Sequence, residues 1–462
     1  MEPAIENQSM QRERRFDTVI VGLGKTGLSC IRHLAGAGSR ALAAVDSRTD
    51  PPGLLVMRSQ FPGIPVHTGG FDEAIMLGAA RLLVSPGVSL QEPAIRKAAA
   101  AGVEISGDIE LFLGAARRPV IAVTGSNGKS TVATLVDAMV QAAGLKSALG
   151  GNIGTPALDL LAADAPDYYV LELSSFQLET VRSLNAAAAA VLNLTPDHMD
   201  RYPRVQDYAA VKQRIYEGTG IMVLNLDDPT VCGMRRAGRS SILFSLHVPQ
   251  AGEFGLRQVQ DDAWLALGEQ ELMPVSELRI NGTHNVANAL AALALGHAVG
   301  LSLPAMCTAL RNFPGLPHRC QWLRECGGVD WYNDSKGTNV GAACAAIGGL
   351  AIHRKLVLIA GGDGKGAEFG PLADAARGRV RAAVLIGRDA ARIGKALEAE
   401  LPTYYATRMD AAVETAARLA QRGDAMLLSP ACASFDMFEN YERRGEAFAA
   451  AVHELCRRRW PA

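Results

Sequence analysis

The sequence predicts an α/β protein of three domains, each built on a mostly parallel sheet flanked by helices. Three observations carry that prediction. The chain has 462 residues, too many for one ordinary core, and about 150 residues per domain suggests three. Short apolar runs recur, each followed by a helical pattern: DTVIVGLG (17–24), RPVIAVTG (118–125), DYYVLELSS (167–175), AAVLNLTPD (189–197), GIMVLNLDD (220–228), RKLVLIAGGDG (354–364), RAAVLIGRD (381–389) and AMLLSPACAS (425–434). Continuous apolar strands that alternate with helices belong to parallel sheets covered on both faces. Finally, these runs end in Gly, Ser or Asn, the residue types found where ligands collect at strand carboxyl ends.

The first domain is expected over residues 1–107. Its opening strand runs into Gly22-Leu23-Gly24-Lys25-Thr26-Gly27 and then a helix, with Asp46 ending a later strand. Glycines at that turn let backbone N–H groups approach a diphosphate at a helix N-terminus, and a following acid commonly takes a ribose. The loop Ser85-Pro86-Gly87 follows another strand and is expected beside the first. This domain is Rossmann-like, and taken by itself the motif also suits a nicotinamide oxidoreductase. GDIELFLGAARRP (107–119) carries the chain onward.

The second domain, 108–314, opens on the strand IAV and the loop AVTGSNGKST (122–131). A P-loop is usually written G-x-x-x-x-G-K-[ST], whereas here only Ser126 and Asn127 separate Gly125 from Gly128. The context is still that of a phosphate loop: strand, glycine turn, then the helical run VATLVDAMV. Backbone N–H groups and the helix dipole attract the phosphate chain. Lys129 would reach the terminal phosphates and the Ser130 hydroxyl could hold Mg²⁺. RNFPGLPHRC (311–320) reads as a linker into a third domain, 315–462.

Bulk numbers exclude several classes. Hydrophobic residues make up 48% and charged residues 20%, the balance of a globular protein. Lys+Arg is 46 against Asp+Glu 47, for a net charge of -1, which argues against bulk binding to nucleic acid or anionic membranes. The first fifteen residues are polar and lack a secretory apolar core, and no run approaches the ~18 apolar residues of a membrane span. The eight cysteines are scattered without a C-x-x-C pair, so neither a zinc knuckle nor a disulfide framework is expected. Reduced thiols in a monomeric cytoplasmic protein are expected instead. Lysine is sparse, at nine positions (25, 97, 129, 146, 212, 336, 355, 365, 395). Each lysine is then a candidate for work a guanidinium cannot do.

The order of motifs makes the assignment specific. After TGSNGKST come Gly151-Asn152-Ile153-Gly154, LELSSFQ (171–177), Asp197-His198-Met199-Asp200, His284-Asn285, NDSKGTN (333–339), GGDGK (361–365) and SPACAS (429–434). Together they resemble the Mur ligase family from about residue 17 to 450, and the DSKGTN and GGDGKG contexts resemble its D-glutamate-adding members. The second domain then resembles a P-loop ATPase and the third is Rossmann-like. The resemblance implies ATP-dependent joining of D-glutamate to UDP-N-acetylmuramoyl-L-alanine through an acyl phosphate.

It also implies roles. Gly125, Ser126, Asn127, Gly128, Lys129, Ser130 and Thr131 would bind ATP, with Asn285 and Asn288 at the base and Arg319 and Asp334 reaching in from the third domain. Glu172, His198, Ser130 and Lys212 would hold two Mg²⁺ ions, Lys212 as a carbamate formed with CO₂. Lys129, Glu172, His198 and Lys212 would form the catalytic group. Lys25, Thr26, Ser47, Arg48, Ser85, Gly87, Asn152, Gln177 and His198 would bind the UDP substrate. Lys336, Thr338, Lys365, Ser434 and Tyr441 would bind D-glutamate, a substrate whose two carboxylates call for cations and hydroxyls. From the residues without the resemblance, Lys212 reads as a solvated helix residue. Folylpolyglutamate synthases share the short loop but usually lack a nucleotide domain ahead of it. A nucleotide sensor without activity would be expected to have lost some of Lys129, Glu172, His198 and Lys212.

Overall fold

The computed structural model describes residues 15–162, 165–280, 282–351 and 354–460, and the polar leader of residues 1–14 lies outside the described residues. The chain divides into two compact units. One comprises residues 1–120, 147–186 and 214–218; the other comprises 121–146, 187–213 and 219–462.

The first unit contains a five-stranded parallel sheet in the order β3-β2-β1-β4-β5. Its strands are β1 (Phe16–Val21), β2 (Leu42–Asp46), β3 (Val66–Thr68), β4 (Ala79–Val84) and β5 (Glu104–Ser106). β1 is central, and Val19, Ile20 and Val21 are fully buried, which is why the run is apolar without alternation. The strand order reverses between β1 and β4, so the loops carrying Gly22 and Ser85 leave from the switch point where ligands bind in such sheets. β6 (Val120–Thr124) leads into the second unit. β7 (Ser147–Gly151) and β8 (Tyr168–Glu172) return to the first unit and pair in parallel, with Gly151 opposite Glu172.

In the second unit β6, β9 (Ala188–Val191), β10 (Ile221–Asn225) and β11 (Ser241–Phe244) run parallel. β12 (Phe254–Val259), β13 (Asp262–Leu267) and β14 (Gln270–Pro274) extend the sheet, the last two antiparallel. A further sheet has the order β15-β16-β20-β17-β18-β19. Its members are β15 (Gln321–Cys326), β16 (Val329–Asn333), β17 (Leu356–Gly361), β18 (Val380–Ile386), β19 (Thr403–Tyr405) and β20 (Ala425–Leu428). One of its faces packs Leu356, Leu358, Ala383 and Leu427 and the other packs Val357, Ile359, Val384 and Met426, so both faces are core. All eight runs singled out in the sequence are parallel strands, and β12–β16 add the antiparallel pieces.

One expectation fails. Cys326 at the end of β15 and Cys456 on the helix Tyr441–Arg459 form a disulfide. They are 130 residues apart in sequence, but the last helix packs against the sheet and brings their Cα atoms to 6.0 Å, within bridging range. The other six cysteines are free.

Candidate active site

The glycine turn after β6 has the backbone of a phosphate loop. Gly125 and Gly128 both have positive φ, 150° and 82°. A Cβ on Gly128 would lie 2.3 Å from Asn288 Oδ1, so only glycine fits there. Lys129 opens the helix Lys129–Ala142 and folds back, its Nζ donating to the carbonyls of Gly125 and Ser126 at 2.9 Å each.

The segment after β9 pins the loop. The Asn127 N–H donates to Asn193 Oδ1 at 2.9 Å, and Asn193 Nδ2 donates back to the Asn127 carbonyl at 3.1 Å. The Thr195 N–H donates to Ser126 Oγ at 3.0 Å, while Ser126 Oγ donates to the Thr195 carbonyl at 2.9 Å. Asn193 and Thr195 were missed in the sequence reading. Their signal was position: polar residues just past an apolar run, at the carboxyl edge of a parallel sheet.

A cavity of about 280 Å³ opens beside this loop. Gly128, Thr131, Asn285, Asn288, Arg319 and Asp334 are among its lining residues. Asn285 and Asn288 share one face of the helix Thr283–Ala298, and Asn288 Nδ2 donates to Asn285 Oδ1 at 3.1 Å. The Arg319 guanidinium donates to Ser130 Oγ. Asp334 is buried, accepting from Ser429 Oγ at 2.7 Å and the Cys320 N–H at 3.1 Å. Burial pushes its carboxyl up from 3.8 to about 6, against those hydrogen bonds and the Arg319 charge. His284 also lines the cavity, with its Nδ1 buried and unpartnered among the described residues, and burial pushes its imidazole down to about 4.

Lys212 departs from the solvated-helix reading. It sits on the helix Val205–Gln213 with only 1% exposure. Its Nζ donates to Thr124 Oγ1 at 3.1 Å and to the Gly125 carbonyl at 2.9 Å, and lies 4.7 Å from the Tyr208 ring centre. His198 has a positive φ of 56°, with Nε2 3.7 Å from Asp197 Oδ2. Burial holds the imidazole below its ordinary range; Asp197 and Asp200 oppose this, and the charges of Lys365 and Lys129 add to it.

Three loops of the last sheet meet. Asp363 of GGDGK and Ala433 of SPACAS exchange backbone hydrogen bonds at 3.0 and 2.8 Å. The Arg444 side chain, 1% exposed, donates to Ser335 Oγ and the carbonyls of Ser335, Cys432 and Ala433. These bonds carry Lys336, Lys365 and Ser434 on one frame. Lys336 Nζ lies 3.9 Å from the Tyr441 ring centre, within cation–π range, and Thr338 is partly exposed. Arg444 was also missed, because an Arg-Arg pair on an amphipathic helix looks solvated.

In the first unit Asp46 is committed internally. Its carboxylate accepts from the Leu23 N–H at 2.7 Å, the Arg48 N–H and Nε at 2.9 Å each, and Arg48 Nη2 at 2.7 Å. It therefore locks the glycine turn and orients Arg48, which removes the ribose contact that the dinucleotide reading needs. Ser85 Oγ donates to the Gly22 carbonyl at 3.0 Å, while Lys25, Ser47, Arg48 and Gly87 are exposed and Thr26 is partly exposed. Asn152 Nδ2 donates to Glu172 Oε1 at 2.6 Å. Gln177 is buried: its Oε1 accepts from Ser174 as part of a capping box and its Nε2 donates to Asp108 at 3.2 Å. Glu172, Asn152 and Gln177 thus belong to the first unit, whereas Lys129, His198 and Lys212 belong to the second.

Comparison with known proteins matches three families along the chain. Residues 16–107 match the Mur ligase MurD-like N-terminal domain, 123–296 the Mur ligase middle domain, and 318–432 the Mur ligase glutamate ligase domain. The chain is 53% identical over 449 residues to the UDP-N-acetylmuramoylalanine–D-glutamate ligase of Nitrosococcus oceani, covering 97% of this chain and 99% of that one. It is 54% identical to the protein of the same name from Pseudomonas syringae pv. tomato, covering 95% and 98%. Among solved structures, the UDP-N-acetylmuramate-alanine ligase MurC of Thermotoga maritima superposes with a TM-score of 0.60 at 18% identity, covering 95% and 99%. MurF of Acinetobacter baumannii gives 0.60 at 16%, covering 96% and 92%; at these identities both speak to the fold.

Proposed function

The chain belongs to the Mur ligase family, and from that premise we propose that it joins D-glutamate to UDP-N-acetylmuramoyl-L-alanine, cleaving ATP to ADP and phosphate, in peptidoglycan precursor synthesis. The observation that carries the reading is the short glycine turn beside a cavity lined by Asn285, Asn288, Arg319 and Asp334. The choice of amine rests on identity above 50% across nearly the whole length of ligases of that name.

A carboxylate and an amine do not condense in water, so the acid is activated first. One carboxylate oxygen of the alanyl group attacks the γ-phosphorus of ATP, the bond to the bridging oxygen breaks, and ADP leaves. The amine of D-glutamate then attacks the acyl carbon, loses a proton and expels phosphate. Lys129 holds the terminal phosphates, the loop N–H groups hold the remainder, and Asp334 accepts from the ribose hydroxyls. Lys336, Thr338, Lys365, Ser434 and Tyr441 form the amino-acid pocket, so that the amine is aimed at one carbon. Lys25, Thr26, Ser47, Arg48, Ser85, Gly87, Asn152, Gln177 and His198 serve the UDP substrate, with Gln177 acting through the turn it caps.

Two Mg²⁺ ions suit the donor chemistry. The Ser130 hydroxyl and the Glu172 carboxylate are hard oxygen donors, and His198 is held towards its neutral form. No three His, Cys, Asp or Glu side chains converge among the described residues, so phosphate oxygens, water and a carbamate on Lys212 would complete the sets. When bound, the metal neutralises phosphate charge and polarises the transferred group. The three functional segments are 1–107, 108–314 and 315–462. A cytoplasmic, monomeric protein is part of the same proposal; no helix among the described residues is long and apolar enough to cross a membrane.

Phosphate release tests the reading. With ATP, Mg²⁺ and UDP-N-acetylmuramoyl-L-alanine, D-glutamate should stimulate release at least tenfold over L-glutamate and other D-amino acids. No ATP consumption with the full set would refute it. A second test uses pH. Because the Asp334 pKa is raised in the folded protein, its contribution to stability is complete below 3.8 and lost as pH rises through about 6. Ribose hydroxyls donate to the ionised form, so nucleotide affinity should hold above pH 6 and fall below it by up to about tenfold per unit. Titration of a fluorescent ATP analogue between pH 5 and 8 checks this, and Asp334→Asn should flatten the profile.

A further inference from the structure

Asn339 stands outside every role assigned so far, yet it bonds both the phosphate loop and the segment that carries His198. It is the N-cap of the helix Val340–Leu350, and its Oδ1 accepts from the Ala342 N–H at 2.8 Å. That bond uses only the acceptor end of the amide. The donor end, Nδ2, leaves the helix and makes two further bonds, to Asn127 Oδ1 at 3.2 Å and to Asp197 Oδ2 at 2.9 Å. Asn127 is at the tip of the phosphate loop. Asp197 accepts from the His198 N–H at 2.9 Å and lies beside the His198 ring. Asn339 is 9% exposed, and Asn127 and Asp197 are partly buried, so the bonds are partly shielded from water.

A second contact brings the same helix start to the same place. A Cβ on Gly341 would lie 2.8 Å from Thr195 Oγ1, so the helix start packs directly on the residue that pins the phosphate loop. Capping a helix requires only an acceptor, which Asp, Ser or Thr supplies equally well. What distinguishes Asn is that it caps and donates at once.

We propose that Asn339 is a positioning residue that couples the seating of the amino-acid-binding loop, Lys336 to Thr338, to the phosphate loop and the His198 segment. This rests on the ligase reading above. With D-glutamate held by that loop, both donor bonds form only when the amine-bearing loop and the ATP-bearing loop are in register. Nucleophile and activated acid are thereby brought to one geometry, and Asn339 need not touch either.

Two variants separate this role from capping. Asn339→Asp keeps the cap acceptor but turns both donors into acceptors and sets a carboxylate against Asp197. Asn339→Ser keeps the cap but is too short to reach either partner. Loss of hydrogen bonds to a charged group and a loop tip predicts a fall in kcat/KM for D-glutamate of about 10-fold for the Ser variant and about 100-fold for the Asp variant. The folded fraction at the assay temperature, read by circular dichroism, should match the wild type. Wild-type kcat/KM in both variants, or losses no larger than the loss of folded protein, would overturn the proposal. Failure of the wild type to ligate would instead strike the ligase reading. In that case the affinity of each variant for a fluorescent ATP analogue still reads the bond to Asn127, and unchanged affinity in both would overturn the coupling as well.

Discussion

Lys129→Ala should lower ATP-dependent ligation by about 10³-fold, roughly 4 kcal/mol of transition-state stabilisation, with the fold intact. The lysine stands at the first position of its helix, where its Nζ donates to the Gly125 and Ser126 carbonyls of its own loop. Those bonds hold the ammonium against the phosphate loop. Alanine is the best helix former, so the substitution leaves the helix start well formed. Removal of a point charge that gains strength as negative charge shifts towards the γ-phosphate then falls on the reaction and spares stability. Phosphate release under saturating substrates, with a melting curve beside it, is the check. Turnover within tenfold of the wild type would remove Lys129 from the chemistry. Lys129→Arg should rescue little, because a planar fork does not replace a compact ammonium in a turn this tight.

The second large effect is expected at Lys212. The residue is buried against the root of the phosphate loop, bonded to Thr124 Oγ1 and the Gly125 carbonyl. Two roles fit that placement and they differ in sign of charge. As an ammonium it would brace the turn. As a carbamate, formed when the neutral amine adds to CO₂ and releases a proton, it would present anionic oxygen to a metal. Lys212→Ala should lose about 10²-fold or more in turnover, and Lys212→Arg should lose as much, because a guanidinium keeps the charge but does not add CO₂. Formate or acetate should restore part of the Lys212→Ala activity by supplying the missing carboxylate oxygens. Activity retained by Lys212→Arg, or rescue by methylammonium in place of formate, would assign the ammonium role and end the carbamate one.

Much of this was legible in the linear chain for a physical reason. A parallel strand buried on both faces must be apolar throughout, and the turn that follows it must expose backbone N–H groups, so β1, β6, β8, β9, β10, β17, β18 and β20 declare themselves locally. TGSNGKST is likewise local: strand, two glycines with positive φ and a helix start lie within eight residues. The order of the later motifs then pointed to the family. Polar contacts across the sequence left no such mark. Asp46 looked like a ribose acceptor until its four hydrogen bonds from Leu23 and Arg48 were on view. Lys212 looked solvated because helix periodicity says which residues share a face and nothing about what covers that face. Arg444 reaches Ser335, and Asn339 reaches Asn127 and Asp197, each more than a hundred positions away, through bonds that exist only after sheets and loops have packed. The Cys326–Cys456 bridge is of the same kind.

The chain's own order of residues thus determined the strands, the phosphate-binding turn and the family, since each is written in short-range patterns of burial and backbone freedom. Tertiary structure decided which polar groups are spent inside the protein and which face a substrate, because a hydrogen bond's partner is chosen by where distant segments come to rest.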